Sequence, residues 1–585
     1  MVVILGEGVQ GSRVHSHCAR KVLAQLASRE QVGSARNSHL RTAFLVILIF
    51  REVSRVVLKR GRKIVGEVRM DGPVGPRVTG PEEMARRFHA ELIVALPGWK
   101  QRLGEDPERL AELEQEVHAA FARGADFLLS GLLALVMKQS SFDKTCERTR
   151  RQYCRPLRRG RMRQQQVRLL GGLLVWVTSL YCAPSKRWFR KSDEQVPGLH
   201  VELAQFGFGK GCSPALESRV SRQAALCPSF EMAQQELERA GVRMDVKTVR
   251  RITSQCGSGL LALRTHELMR WRSKRLAAGV ELQGQRVSVQ IDGGRTKIRG
   301  ALRVAPAKEE RTDADGLVVE NTPGRSKKRA RKTYDAEWRE PKLATIFIHD
   351  ETGRMVKKSQ ATMDGTFLGP DAMAELIAMH LHRLGAAQAV SVTFVADGAS
   401  WIWDRIPTII RLAGLENVAL HQVLDCCHAA HHISLALAAL GLTDEERMPQ
   451  YRDHRTMLRN GQWRRVVEEL TELAELDPEN EKIHTEIAYL TKHGEAGRLK
   501  YPTFRAKGLP IGSGAIESSI RRVINLRLKG NGIFWCEDNA EEMLQVRAQV
   551  ITNRWDERVK AKRRHLRYDG RTDWRWEPQP MSSKA

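Results

Sequence analysis

Two short apolar runs in the second half of the chain each end on an aspartate followed by glycine. "RVSVQIDGG" sets Val287, Val289 and Ile291 at alternate positions and then gives Asp292. "AVSVTFVADG" sets Val390, Val392, Phe394 and Val395 before Asp397. This spacing predicts strands that are buried on at least one face. A carboxylate cannot join such a core without a partner. Each aspartate therefore either opens a turn or is held out at a strand end for chemistry. "KLATIFIHD" and "NVALHQVLDCCH" read as further strands, and "DAMAELIAMHLHRLG" reads as a helix. The region must be a mixed sheet with helices, not an all-β domain.

The chain has 585 residues, enough for several domains. Its formal net charge is +28 and its pI is about 10.0. That balance points to a polyanion, most simply nucleic acid, with a merely soluble basic protein as the alternative. The ten cysteines are thinly spread and form no C-x-x-C pair. A reduced, cytoplasmic and nucleoid-associated protein is expected, and zinc is not. The apolar run "TAFLVILIF", 42 to 50, has about half the length that spans a bilayer. No membrane segment is expected.

Domain boundaries follow from shifts in pattern. Residues 1–80 are compositionally odd, without aspartate before Asp71, and one reading makes them an upstream extension with the true start at Met70. Their Gly6-x-Gly8-x-x-Gly11 imitates a dinucleotide fingerprint but lacks the second strand that fingerprint requires. Residues 81–140 carry helical periodicity. Residues 141–262 form a basic region. Within it, 229–256 predict a helix-turn-helix: Ser229 caps one helix, Ala240-Gly241 breaks it, and Asp245 caps a second. Lys247, Thr248, Arg250 and Arg251 on the second helix are the candidate DNA contacts, although an ordinary helical hairpin fits the same pattern. Residues 305–338 read as a polar loop, 435–504 as a helical block, and 556–585 as a disordered basic tail.

A third acid stands in "LPIGSGAIESSIRRVINLRLKG", where a glycine-rich turn opens a helix carrying Glu517. Glu517, Arg521 and Asn525 share one face of it at i, i+4 and i+8. Two strand-end aspartates and a helical glutamate, if convergent, make a site for two hard divalent cations, Mg²⁺ or Mn²⁺. Plain turns at Asp292 and Asp397 and a first-turn acid at Glu517 are the bland alternatives.

Taken in order, "IDGG", "FVADGASWIW", "LDCCH" and "GSGAIES" resemble the DDE transposases of bacterial insertion sequences, and most of all the Kra-type family allied to the Mutator-like group. The resemblance covers roughly 285 to 555, with weaker support from 141 to 262. It implies a multidomain α+β protein with an RNase H-like core, 285–434 and 505–555, interrupted by a helical insertion at 435–504. Asp292, Asp397 and Glu517 match the catalytic acids, with gaps of 105 and 120 residues between them. Asp425 and His428 match a D-x-x-H motif in a supporting role, and Arg521 and Lys529 match bases that grip phosphate. A zinc site among Cys426, Cys427, His428, His431 and His432 is the alternative for that motif, and adjacent cysteines make poor joint ligands. The implied activity is transposition, by cleavage at element ends and joining to target DNA, in an assembly that is at least dimeric. A stand-alone nuclease and an inactive DNA-binding regulator are the rival expectations.

Overall fold

The computed structural model describes residues 66–155, 157–158, 160–184, 198–209, 211–303, 333–530, 532–570 and 573–579. The glycine fingerprint and the apolar run at 42–50 lie outside them. The chain is mixed α/β, with its strands divided among several sheets.

The N-terminal unit pairs β1 (Glu67–Arg69), β2 (Leu157–Arg158), β3 (Met162–Arg168) and β5 (Leu199–His200) with a long β4 (Leu174–Pro184). Two helices, α1 (Pro81–Glu105) and α2 (Leu110–Met137), precede α3 (Ser140–Gln152). Phe127, Leu133 and Met137 of α2 share a core with Val167, Val175 and Val177 of the sheet. Among the described residues one helical stretch, Pro107–Met137, is long and apolar enough to cross a membrane by length and composition. Of its most apolar window 44% is buried within the protein. Asp126 in it is also buried and accepts a hydrogen bond from the Leu173 N–H at 3.1 Å.

After α4 (Val201–Phe206), three helices share one small core: α5 (Pro214–Leu226), α6 (Phe230–Arg239) and α7 (Val246–Arg272). The caps fall where the sequence puts them. Ser229 Oγ accepts from the Met232 N–H at 3.1 Å, and Asp245 Oδ1 from the Thr248 N–H at 2.8 Å. Gly241, at φ 80°, makes the turn between them. The second helix is not short, however. It runs for 27 residues and buries Cys256, Leu260 and Leu268 against the following units.

The central sheet contains β6 (Arg286–Gly293), β9 (Lys342–Ile348), β10 (Thr362–Thr366), β11 (Ser391–Ala396) and β12 (Ala419–Leu424), in the order β10-β9-β6-β11-β12. β9 runs antiparallel to both β6 and β10, whereas β6, β11 and β12 run parallel. A parallel return needs a crossover. α8 (Pro370–Leu384) supplies one before β11, and α9 (Ser400–Trp403) with α10 (Ile406–Ala413) supplies the next. β7 (Thr296–Arg303) and β8 (Thr333–Arg339) form a separate hairpin. The end of the expected 305–338 loop is therefore strand: Tyr334 and Trp338 give it the alternation that a strand uses.

Four helices follow: α11 (Cys426–Ala439), α12 (Asp444–Arg459), α13 (Trp463–Ala474) and α14 (Glu481–Glu495), before the short α15 (Tyr501–Ala506). Their apolar faces, including Leu458, Val466, Ile483 and Leu490, belong to the same core as the central sheet. The helical block is thus packed onto the sheet rather than tethered to it. α16 (Gly514–Ser519) runs into a π-helical turn, Ile520–Asn525, and α17 (Glu537–Ile551) lies against α7 and β10.

Residues 556–568 of the expected disordered tail belong instead to the helix α18 (Trp555–Tyr568). Its buried cations are neutralised from far away in sequence. Arg558 pairs with Glu267 at 2.8 Å and Lys562 with Glu217 at 2.7 Å, and Trp555 is fully buried. Beyond it, Trp574 and Trp576 are buried too. A second ionic knot holds the units together: Arg264 of α7 bonds Asp364 at 3.0 Å and Glu541 at 2.8 Å, all three buried.

Candidate functional site

The parallel register builds the site. Ile291 of β6 lies opposite Ala396 of β11, and Ala396 opposite Leu424 of β12. The residue that follows on each strand is an aspartate, so Asp292, Asp397 and Asp425 line up along the C-terminal edge of three adjacent parallel strands. Ligands and reacting groups in open α/β sheets collect at that edge.

The three differ in environment. Asp292 accepts the Gly293 N–H at 2.6 Å. Burial, reinforced by the charge of Asp397, pushes its carboxyl up to about 6. Asp397 Oδ1 accepts the Ala399 N–H at 3.1 Å, and its carbonyl accepts the Trp403 indole N–H at 2.8 Å. Asp425 is buried and serves as the N-cap of α11, accepting the His428 N–H at 2.7 Å and the Ser513 N–H. It therefore ties the β12 edge to the loop that carries Glu517.

Glu517 is exposed in the first turn of α16, with Oε1 accepting from Ser513 Oγ at 3.1 Å and lying 4.0 Å from His428 Nε2. Donor atoms of Asp425, His428 and Glu517 all lie within 4.8 Å of one another. The structure brings the supporting D-x-x-H pair directly against Glu517. Glu517 also contributes to the raised carboxyl of Asp292. Arg521 and Asn525 are exposed on the π-helical turn that follows, and Lys529 is exposed beyond it.

Sequence reasoning missed two residues. Gln290 shares the strand face of Asp292 and is buried. Its side chain donates to the Gly512 carbonyl at 3.1 Å and accepts the Ile516 N–H at 3.0 Å, clamping both ends of the glycine-rich turn to β6. An amide set between Val289 and Ile291 was the available signal. The second is Tyr489 of α14. A Cβ on Gly398 would meet its ring at 1.9 Å, so the turn after Asp397 closes only on glycine. Tyr489 stacks on His432 with ring centroids 3.6 Å apart. Burial and the nearby Asp397 and Asp425 hold its phenol well above the usual range.

The predicted DNA contacts lie on the first two turns of α7. Lys247, Arg250 and Arg251 are exposed, while Thr248 Oγ1 is spent on Asp245 at 2.9 Å. Arg250 sits 5.3 Å from the Phe230 ring, on the wall of a cavity of about 270 Å³ shared with Arg527 and Trp535. No described cysteine belongs to a group of three or more metal-ligating side chains. No family model, curated protein or solved structure matches the chain.

Proposed function

We propose that this protein is a DDE-type DNA transposase of an insertion sequence, with an RNase H-like core and Asp292, Asp397 and Glu517 as its catalytic acids. The observation that carries the reading is the pair of aspartates at adjacent parallel strand ends, one of them pushed up by burial and by its neighbour. Like charges crowded at a sheet edge in a chain of net charge +28 are what a divalent cation relieves. The sheet order, with three antiparallel strands followed by two parallel ones, supports the same core.

The donor set is all oxygen, which fits Mg²⁺ or Mn²⁺. Two such ions supply activation of the attacking oxygen and charge neutralisation at the leaving one. The residues supply position. Gln290 and Asp425 fix the loop that presents Glu517, and Gly398 lets the Asp397 turn close against α14. Arg521 and Lys529 provide cations for the phosphate backbone near Glu517. The exposed first two turns of α7, with Lys247, Arg250 and Arg251, enter the DNA groove as the second element of a helix-turn-helix. Thr248 acts there through the cap rather than by base contact. The protein works as a dimer or larger assembly, because two element ends must be joined. Asp292→Ala, Asp397→Ala and Glu517→Gln are each expected to abolish Mg²⁺-dependent cleavage of element-end DNA while leaving DNA binding intact. Cleavage retained by any one of them removes that residue from the site.

A further inference from the structure

A second group of metal-ligating side chains lies far from the strand-end acids in sequence and on different elements. His565 occupies the last turn of α18 and Asp569 caps that helix, an i, i+4 pair on one face. His266 faces them from α7. Its Nδ1 lies 3.8 Å from Asp569 Oδ2, and the two imidazole rings are 4.6 Å apart. One donor atom from each of the three falls within 4.8 Å of the other two. Asp569 is only 7% exposed, so its carboxylate is committed to this corner of the molecule. The backbone around it is fixed as well. Cys154 donates its N–H to the Tyr568 carbonyl at 2.7 Å and its thiol to the Asp569 carbonyl at 3.2 Å. Gly570, at φ 70°, leaves no room for a Cβ beside Tyr153.

We infer that His266, His565 and Asp569 form a binding site for a single transition-metal ion of the Zn²⁺ type. Two imidazoles and one carboxylate are a borderline donor set that suits Zn²⁺ or Co²⁺ and not Mg²⁺, which takes oxygen. The C-terminal end of α18 adds the negative pole of the helix dipole. Small inward shifts of the two rings bring the three donors to the spacing that a metal's ligands take. The bound ion fastens α7, which carries the exposed basic turn, to α18 and to the segment around Cys154. It is a clasp between the DNA-binding helices and the C-terminal helix, independent of the chemistry at the sheet edge.

The test is titration of the metal-stripped full chain with Co²⁺ in excess Mg²⁺, followed by visible absorption. One Co²⁺ per chain is expected, displaced by Zn²⁺. His565→Ala and His266→Ala should each weaken binding by well over about tenfold, and Glu517→Gln should bind as the parent does. Zn²⁺ should also raise the melting temperature of the unmodified chain when Mg²⁺ is already present, a readout that needs no variant. Absorption that fails to develop, that survives His565→Ala, or that is lost in Glu517→Gln overturns the assignment. The last of these moves the ion to the Asp425, His428 and Glu517 donors.

Discussion

Replacing Asp292 by asparagine should stabilise the metal-free protein while destroying its activity. Below about pH 3 the carboxyl is protonated in both folded and unfolded chains, and the stability its neutral form contributes is fully present. As pH rises the unfolded chain ionises first, at the ordinary value of 3.8, while the folded chain resists until about 6. The stability contributed by the neutral form is therefore lost across that window and absent above it. The difference between the two values amounts to about 3 kcal/mol, and solvent at the strand end trims this to roughly 1 to 3 kcal/mol. Unfolding entropy near 2 cal/mol/K per residue converts that to about 1 to 3 °C for a chain of this size melting as one unit. The assay is thermal unfolding in EDTA at pH 5 and pH 7.5. Asp292→Asn should melt higher than the parent at pH 7.5, with about half of that gain at pH 5. Asp397→Asn should recover part of the gain, since burial is the larger cause and Asp397 the next. Mg²⁺ should raise the parent at pH 7.5 and raise Asp292→Asn less. Equal melting of Asp292→Asn and the parent in EDTA at pH 7.5 would refute the crowded-carboxylate reasoning.

Arg264→Leu leaves Glu541 buried without its cation and Asp364 with His380 alone, and denaturant unfolding should show a loss of about 3 to 5 kcal/mol. Gly398→Ala forces a Cβ into the Tyr489 ring, so melting should fall and cleavage should fall with it, at a cost of about 1 to 3 kcal/mol. Gln290→Ala frees the turn before Glu517, and cleavage should drop while DNA affinity, read by gel shift, stays level. Lys247→Ala and Arg251→Ala should each weaken DNA binding and reduce the slope of log affinity against log salt by about 1; an unchanged slope removes that residue from the phosphate contacts.

The strand ends were legible because alternation and the Asp-Gly break are local signals, and the parallel register then aligned Asp292 with Asp397. The caps at Ser229 and Asp245 were equally local. What escaped depends on long-range partners. The cations of α18 look solvated in sequence, and only Glu217 and Glu267, some 300 residues upstream, show why that segment folds. Tyr489 carries no mark of its contact with Gly398, because that contact exists only once the helical block has docked. The length of α7 was hidden by its glycines at 257 and 259. Both face close neighbours, Glu542 and Lys562, where a side chain would not fit.

The most direct measurement incubates the purified chain with Mg²⁺, labelled element-end DNA and a target plasmid, with Asp397→Ala alongside. Labelled end covalently joined to plasmid is expected from the parent and not from the variant. Cleavage without joining would point to a stand-alone nuclease. Specific binding with neither reaction, in Mg²⁺ and in Mn²⁺, would contradict catalysis at the sheet edge and return Asp397 to the role of a turn.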